Sequence, residues 1–265
     1  MFIEREKKMA DITRKIASVL RAASDSAEPR KGSYNTAIIA AAGSGRRAGG
    51  SKAKQLVPVC GLPVVVRTMK AFEECEHITS IVLVGREEEQ ILYRNYVTEH
   101  KFTKIRSIVT GGEDRQTSVY NGFLAIPDET EYVLIHDGAR CLITPDMITR
   151  VLAAAQKYNA ACAACRAKDT PKIADDKQNI LDTPDRASMW MAQTPQVFKT
   201  ELYRAAVIIA RRDGVEATDD CMLAERLGFN VKLVDCGYQN MKITTAEDFA
   251  IAEAILAFRA KEDAE

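Results

Sequence analysis

Residues 36–54 read TAIIAAAGSGRRAGGSKAK, an apolar run that passes without a polar break into a stretch crowded with glycine and positive charge. The apolar part predicts a buried strand over 36–42. From Gly43 onward, Arg46, Arg47, Lys52 and Lys54 are interleaved with Gly43, Gly45, Gly49 and Gly50. Glycine lets main-chain N–H groups close around a ligand, and fixed cations add charge where an anion would lie. The pattern predicts a polyphosphate cradle at the carboxyl end of the first strand. Two other phosphate motifs fit less well. Gly43-x-Gly45-x-x-Ala48 matches the dinucleotide fingerprint of a nicotinamide-dependent oxidoreductase, but that motif rests its pyrophosphate on a helix that follows at once. Here Gly49 and Gly50 occupy the start of any such helix, and Pro58 closes the extension. The Gly-Lys-Ser/Thr ending of a P-loop is missing. A plain basic turn would gather like charges with no counter-anion, which has no stabilising logic.

Outward from this loop, short apolar runs alternate with amphipathic stretches. Strands are predicted at 36–42, 80–84, 105–109, 132–136, 160–165 and 231–235. Helices are predicted at 63–74, 87–99, 115–125, 145–158, 200–212, 219–227 and 246–261. This alternation implies an α/β fold of the Rossmann-like kind, a mostly parallel sheet with helices on both faces. Ligands of such sheets bind beyond the carboxyl ends of the strands. One stretch breaks the rhythm: 166–188, rich in Lys, Asp and Pro, predicts a protruding arm. Residues 1–33 read as an appended helix and linker, with Ile12, Ile16, Val19 and Leu20 at helical spacing, and 34–265 as the main domain. The extension has neither the apolar core of a secretory signal nor the acid-poor composition of a transit peptide.

Composition excludes several classes. With 265 residues, 46% hydrophobic, the chain can bury a full core, and no apolar run approaches the roughly 20 residues of a membrane span. The 37 basic and 37 acidic side chains cancel, which argues against general affinity for nucleic acid. Seven scattered cysteines point to a reducing, cytoplasmic setting. Cys162 and Cys165 have metal-site spacing but no second pair, so they read as buried strand residues. His77, His100 and His136 are too far apart to suggest a metal site.

The string AAAGSGRRAGGSKAKQ at 40–55 resembles the signature loop of nucleotidyltransferases that activate sugars and polyols, in the form used by the 2-C-methyl-D-erythritol 4-phosphate cytidylyltransferase family. GGEDRQTSV at 111–119, VLIHDGAR at 133–140, DTPKI at 169–173, DRASMWMAQTPQVF at 185–198, ATDD at 217–220 and NMKITTAEDFAIAEAIL at 240–256 continue the similarity in order. The resemblance implies transfer of a cytidylyl group from CTP to a polyol phosphate, with magnesium on the triphosphate. It places Arg47, Lys54 and Lys242 as catalytic cations. It places CTP on Ala41, Ala42, Gly43, Gly45, Gly112, Glu113 and Ser118, with main chain and the Ser118 hydroxyl reading cytosine and ribose. The acceptor falls to Asp137, Gly138, Arg140, Thr170, Arg186 and Thr194. Asp137 would meet polyol hydroxyls or magnesium; no dedicated metal cage is assigned.

The resemblance also implies a homodimer whose arm reaches the other subunit, carrying Thr170 and Arg186 to a composite site. Thr218 and Asp219 are expected to cap the helix that follows and brace the site. Departures are few. Ala53 stands where the family has proline, which predicts a less rigid loop, and Gly138 and Cys141 replace alanine and proline, which predicts a looser turn. Ribitol 5-phosphate cytidylyltransferases share the loop design and are the nearest rival. A non-catalytic nucleotide-binding protein would have no use for three converging cations.

Overall fold

In the computed structural model, which describes residues 29–43 and 53–262, the quoted apolar run forms β1 (Asn35–Ala40). Then come the short β2 (Pro58–Val59) and β3 (Leu62–Pro63), α1 (Val64–Glu74), β4 (Ser80–Gly85), α2 (Gln90–Glu99), β5 (Ile105–Thr110) and α3 (Arg115–Phe123). The second half carries β6 (Tyr132–Asp137), α4 (Pro145–Tyr158), β7 (Ala160–Arg166), β8 (Ile173–Ala174), β9 (Ile180–Asp182), β10 (Trp190–Lys199), α5 (Thr200–Arg212), α6 (Asp220–Arg226), β11 (Lys232–Asp235) and α7 (Glu247–Glu262). Residues 1–28 of the expected N-terminal extension and linker (1–33) lie outside the described residues, as do Gly45 and Arg47 of the signature loop. Where the chain is first described, Arg30 is fastened to the body: its N–H donates to Gln156 Oε1 at 2.6 Å and its Nη2 to Tyr132 Oη at 2.9 Å.

Seven strands form one sheet in the order β11-β7-β10-β6-β1-β4-β5. β1 pairs parallel to β4 and β6, β4 to β5, and β11 to β7. Successive side chains of a strand face opposite ways, and β1 shows the consequence. Ala37 and Ile39 pack beneath Phe72 of α1, Tyr93 of α2 and Ile148 of α4, while Ile38 points to Val119 of α3 and Phe198 of β10. Strands buried on both faces therefore read as continuous apolar runs. A third cluster, Val59, Val64, Leu142, Ile243 and Ala252, seats α7 over the short β2–β3 ribbon.

β10 is the strand of the central sheet that the sequence reading lacks. It runs antiparallel between β6 and β7, so the sheet is mostly and not wholly parallel. Thr194, Pro195 and Gln196 lie within it, and proline in a central strand normally argues against strand structure. The ladder accommodates them by a register shift between Ala192 and Gln196. Bulges of this kind re-aim side chains, and here Thr194 is turned toward the end of β6. The stretch 166–188 does contain an irregular hairpin, β8 paired with β9, whose Ile173, Ile180 and Leu181 are exposed.

Candidate active site

The carboxyl ends of β1, β5 and β6 open into a cleft of about 720 Å³, lined by Ala41, Ala42, Gly43, Lys54, Gly112, Glu113, Ser118, Asp137 and Lys242 among others. Lys54 and Lys242, from opposite ends of the chain, thus face one space. Residue 55 explains how the near side is held. The Gln55 amide donates from Nε2 to Ala41 O at 2.7 Å and to Gly43 O at 3.1 Å, so the residue after Lys54 is tied to the strand end where the glycine loop departs.

Opposite, the turn at Gly111 and Gly112 has no room for larger residues. A Cβ on Gly111 would lie 2.4 Å from Ala42 Cβ, and one on Gly112 2.3 Å from Thr117 Cγ2. Asp114 caps α3 by accepting from Thr117 N–H at 2.6 Å. Ser118 Oγ accepts from Gly112 N–H at 3.0 Å and donates to Asp114 O at 2.8 Å. Its hydroxyl therefore shapes the glycine turn as well as lining the cleft.

Asp137, the last residue of β6, is the electrostatic centre. Its Oδ1 accepts from Arg115 Nε at 3.1 Å and its Oδ2 pairs with Lys242 Nζ at 2.8 Å, with Arg140 Nε at 3.9 Å. Burial works against its charge, but Arg115, Lys242 and Arg140 outweigh it and hold the carboxyl far below the ordinary range. Arg115 also reaches Asp220 Oδ2 with Nη1 at 2.8 Å. Burial disfavours its charge as well, and the two carboxylates overcome that and raise its pKa.

Behind this group lies a neutral polar layer. Thr194 Oγ1 accepts from the Asp137 main-chain N–H at 3.0 Å and meets His136 Nδ1 at 3.1 Å. His136 is wholly buried, and burial pulls its pKa down to about 3, so its imidazole is neutral near pH 7. Asn240 Nδ2 donates to Thr194 O at 2.8 Å and to Gln193 Oε1 at 3.0 Å, which fixes the segment that carries Lys242. The bulge in β10 is thus what connects Asp137 to Lys242 from below.

Other expected residues land differently. Arg140 turns its Nη1 to Asn240 O at 2.8 Å and does not line the cleft. The turn at Gly138 is pinned despite the expected looseness, because Gly138 N–H donates to Ala40 O at 2.8 Å and its carbonyl accepts from Thr68 Oγ1 at 3.0 Å. Thr170 and Arg186 stand on the exposed arm, away from this chain's own cleft, with Arg186 Nη1 donating to Lys168 O at 2.9 Å. Asp219 caps α6 through Met222 N–H at 3.0 Å, as its position predicts. Cys162 and Cys165 are buried in β7. Among the described residues there is no cluster of three metal-binding side chains.

Arg115, Gln55, Asn240 and Asp220 had no assigned part in the sequence reading. All four lie within the quoted motifs; the partners of Arg115, Asn240 and Asp220 are far away in sequence, whereas Gln55 meets Ala41 and Gly43 of its own motif.

A sequence model of the family described as IspD, 2-C-methyl-D-erythritol 4-phosphate cytidylyltransferase, matches residues 35–258. A 2-C-methyl-D-erythritol 4-phosphate cytidylyltransferase of Caldanaerobacter subterraneus subsp. tengcongensis is 45% identical over 222 residues, 83% of this chain and 98% of the relative. One from Desulforamulus reducens is 44% identical over 224 residues, 84% of this chain and 96% of the relative. The crystal structure of the 4-diphosphocytidyl-2C-methyl-D-erythritol synthase from Anaerococcus prevotii superposes with a TM-score of 0.77 at 32% identity, over 85% of this chain and 97% of that one. Since the match runs from the first residue of β1 into α7 and takes in nearly the whole of each relative, the chain belongs to the 2-C-methyl-D-erythritol 4-phosphate cytidylyltransferase family.

Proposed function

We propose that this chain joins CTP and 2-C-methyl-D-erythritol 4-phosphate to give 4-diphosphocytidyl-2-C-methyl-D-erythritol and pyrophosphate, a step of non-mevalonate isoprenoid synthesis. The observation that carries this reading is the convergence of Lys54 and Lys242 on one cleft beside the glycine turn. An oxygen of the acceptor's phosphate attacks the α-phosphorus of CTP in line. A new P–O bond forms, the bond from that phosphorus to the oxygen bridging to the β-phosphate breaks, and pyrophosphate leaves with the electron pair. A phosphate monoester has its second pKa at about 6 and is largely dianionic near neutral pH, so no general base is needed.

His136, buried and neutral, and Asp137, fixed as a carboxylate, suit such a site: they position and neutralise without exchanging protons. Lys54 and Lys242, with Arg47, hold the charge that builds on the phosphates. Ala42, Gly112, Glu113 and Ser118 offer main-chain and hydroxyl groups to the nucleoside, and Asp137 accepts from the polyol hydroxyls.

Magnesium fits as an ion brought in by the triphosphate. It commonly takes one or two carboxylates plus phosphate oxygens, and Asp137 is the carboxylate at the floor of the cleft. Its two oxygens already face cations, so the protein offers at most a partial ligand set. When bound, the ion would supply positive charge that offsets the charge of the phosphates.

The test is pyrophosphate release with 2-C-methyl-D-erythritol 4-phosphate and ribitol 5-phosphate assayed side by side. Preference for methylerythritol phosphate is expected; preference for ribitol phosphate would reassign the acceptor.

The functional protein in this reading is a cytoplasmic homodimer. Ile180 and Leu181 at the arm's tip are 63% and 66% exposed, an apolar end that suits a second copy of the chain. The arm carries Thr170 and Arg186 to the partner's cleft. Mixing inactive Lys54→Ala and Arg186→Ala proteins under exchange conditions should then restore about a quarter of wild-type turnover, because each mixed dimer has one intact site. No recovery would mean that each site is built from one chain.

A further inference from the structure

Beneath the cleft sits a buried pair that the proposed chemistry does not use. Asp220, at the first turn of α6, is 2% exposed, and both its carboxylate oxygens are occupied. Oδ2 accepts from Arg115 Nη1 at 2.8 Å, and Oδ1 accepts from Tyr203 Oη at 2.7 Å. Tyr203 belongs to α5, is itself buried, and is clamped between Phe123 and Phe198 at centroid distances of 5.1 and 5.2 Å. The main chain is fixed too: the N–H groups of Asp220 and Cys221 donate to Gln196 Oε1 at 2.9 and 3.1 Å. Gln196 lies in β10 directly beyond the bulge. A carboxylate set so firmly in a core holds whatever it touches, and what it touches is Arg115.

Arg115 is the only side chain described that bridges Asp220 to Asp137. Arg115, Arg140 and Lys242 face two carboxylates here, so the charge on Arg115 is shared between a deep anion and one at the cleft floor. Resting on the activity proposed above, we infer that Asp220, anchored by Tyr203, is a positioning residue: by sharing Arg115 it keeps the Asp137 carboxylate aimed at the acceptor polyol. Without Asp220, the guanidinium has only Asp137 as counter-ion and draws it away from the cleft. CTP, seated on the glycine turns and Lys54, does not depend on this contact.

The experiment compares wild type, Asp220→Asn and Tyr203→Phe, with kcat and the KM for each substrate taken from pyrophosphate release. For Asp220→Asn, KM for 2-C-methyl-D-erythritol 4-phosphate should rise about tenfold, the scale of one lost hydrogen bond to a charged group, while KM for CTP stays within about twofold. Tyr203→Phe, which removes one oxygen and keeps the carboxylate, should shift the same constant in the same direction by a smaller factor. It also decides the matter if Asp220→Asn does not fold. Two unchanged KM values, or two that rise together as for a general loosening, would overturn the inference. A wild-type protein that releases no pyrophosphate removes the activity and the inference together, whereas a working wild type with insensitive variants removes the inference alone.

Discussion

Replacing Lys54 with alanine should lower kcat/KM about a thousandfold and leave the fold intact, as removal of one fixed donor from a charge-stabilising site commonly costs 10²–10³ or more. Lys54 opens a short 3-10 turn and lines the cleft, and the amide of its neighbour Gln55 ties that turn to the end of β1. Alanine is compatible with that turn, and the loss of the cleft-facing ammonium is expected to fall mainly on the chemistry. The charge that Lys54 opposes grows as the α-phosphorus changes partners, so kcat should fall more than KM for CTP rises. Pyrophosphate release together with far-ultraviolet circular dichroism measures both halves. A variant within about tenfold of wild type would remove Lys54 from the reaction.

Asp137→Ala is expected to damage both stability and turnover, through one cause. The substitution leaves Arg115, Arg140 and Lys242 around an empty centre, with only Asp220 as a nearby counter-charge. Removing one partner of a buried ion pair costs about 3–5 kcal/mol. Since Arg115 and Lys242 are about one-third exposed and can partly rehydrate, the lower end applies, about 3 kcal/mol. For a domain of this size that corresponds to a fall in Tm of roughly 6–12 °C. Turnover should fall about a thousandfold as Asp137 leaves the acceptor's hydroxyls unheld, while CTP binds at least as well because Lys242 loses its competing anion. Calorimetry of unfolding and CTP titration test the two effects separately. An unchanged Tm would mean that the three cations never depended on Asp137.

The alternating apolar segments and the cationic glycine loop were legible because both are local. A strand buried on both faces must be apolar throughout, and an anion cradle must combine flexible backbone with positive charge within a few residues. The expected membership of Lys54, Asp137 and Lys242 in one site came from the family resemblance and not from spacing. β10 was missed for a local reason as well: Thr194-Pro195 contradicts strand propensity, and only its neighbours β6 and β7 make the bulged conformation worthwhile. Arg115 was passed over because nothing at position 115 distinguishes it from a solvated helix-start arginine. Its importance arises from Asp220, 105 residues further along, and from the burial they share.

The sequence by itself determined the layered α/β architecture, the cationic glycine loop and the residue types at the carboxyl ends of the strands, because periodicity, glycine and charge act over distances the local chain controls. Only tertiary structure decided which charges neutralise which. Asp137 became a fixed carboxylate, and His136 a neutral spacer, because packing removed water from them and set their partners. An electrostatic environment is a property of three-dimensional neighbours, and a list of residues does not contain it.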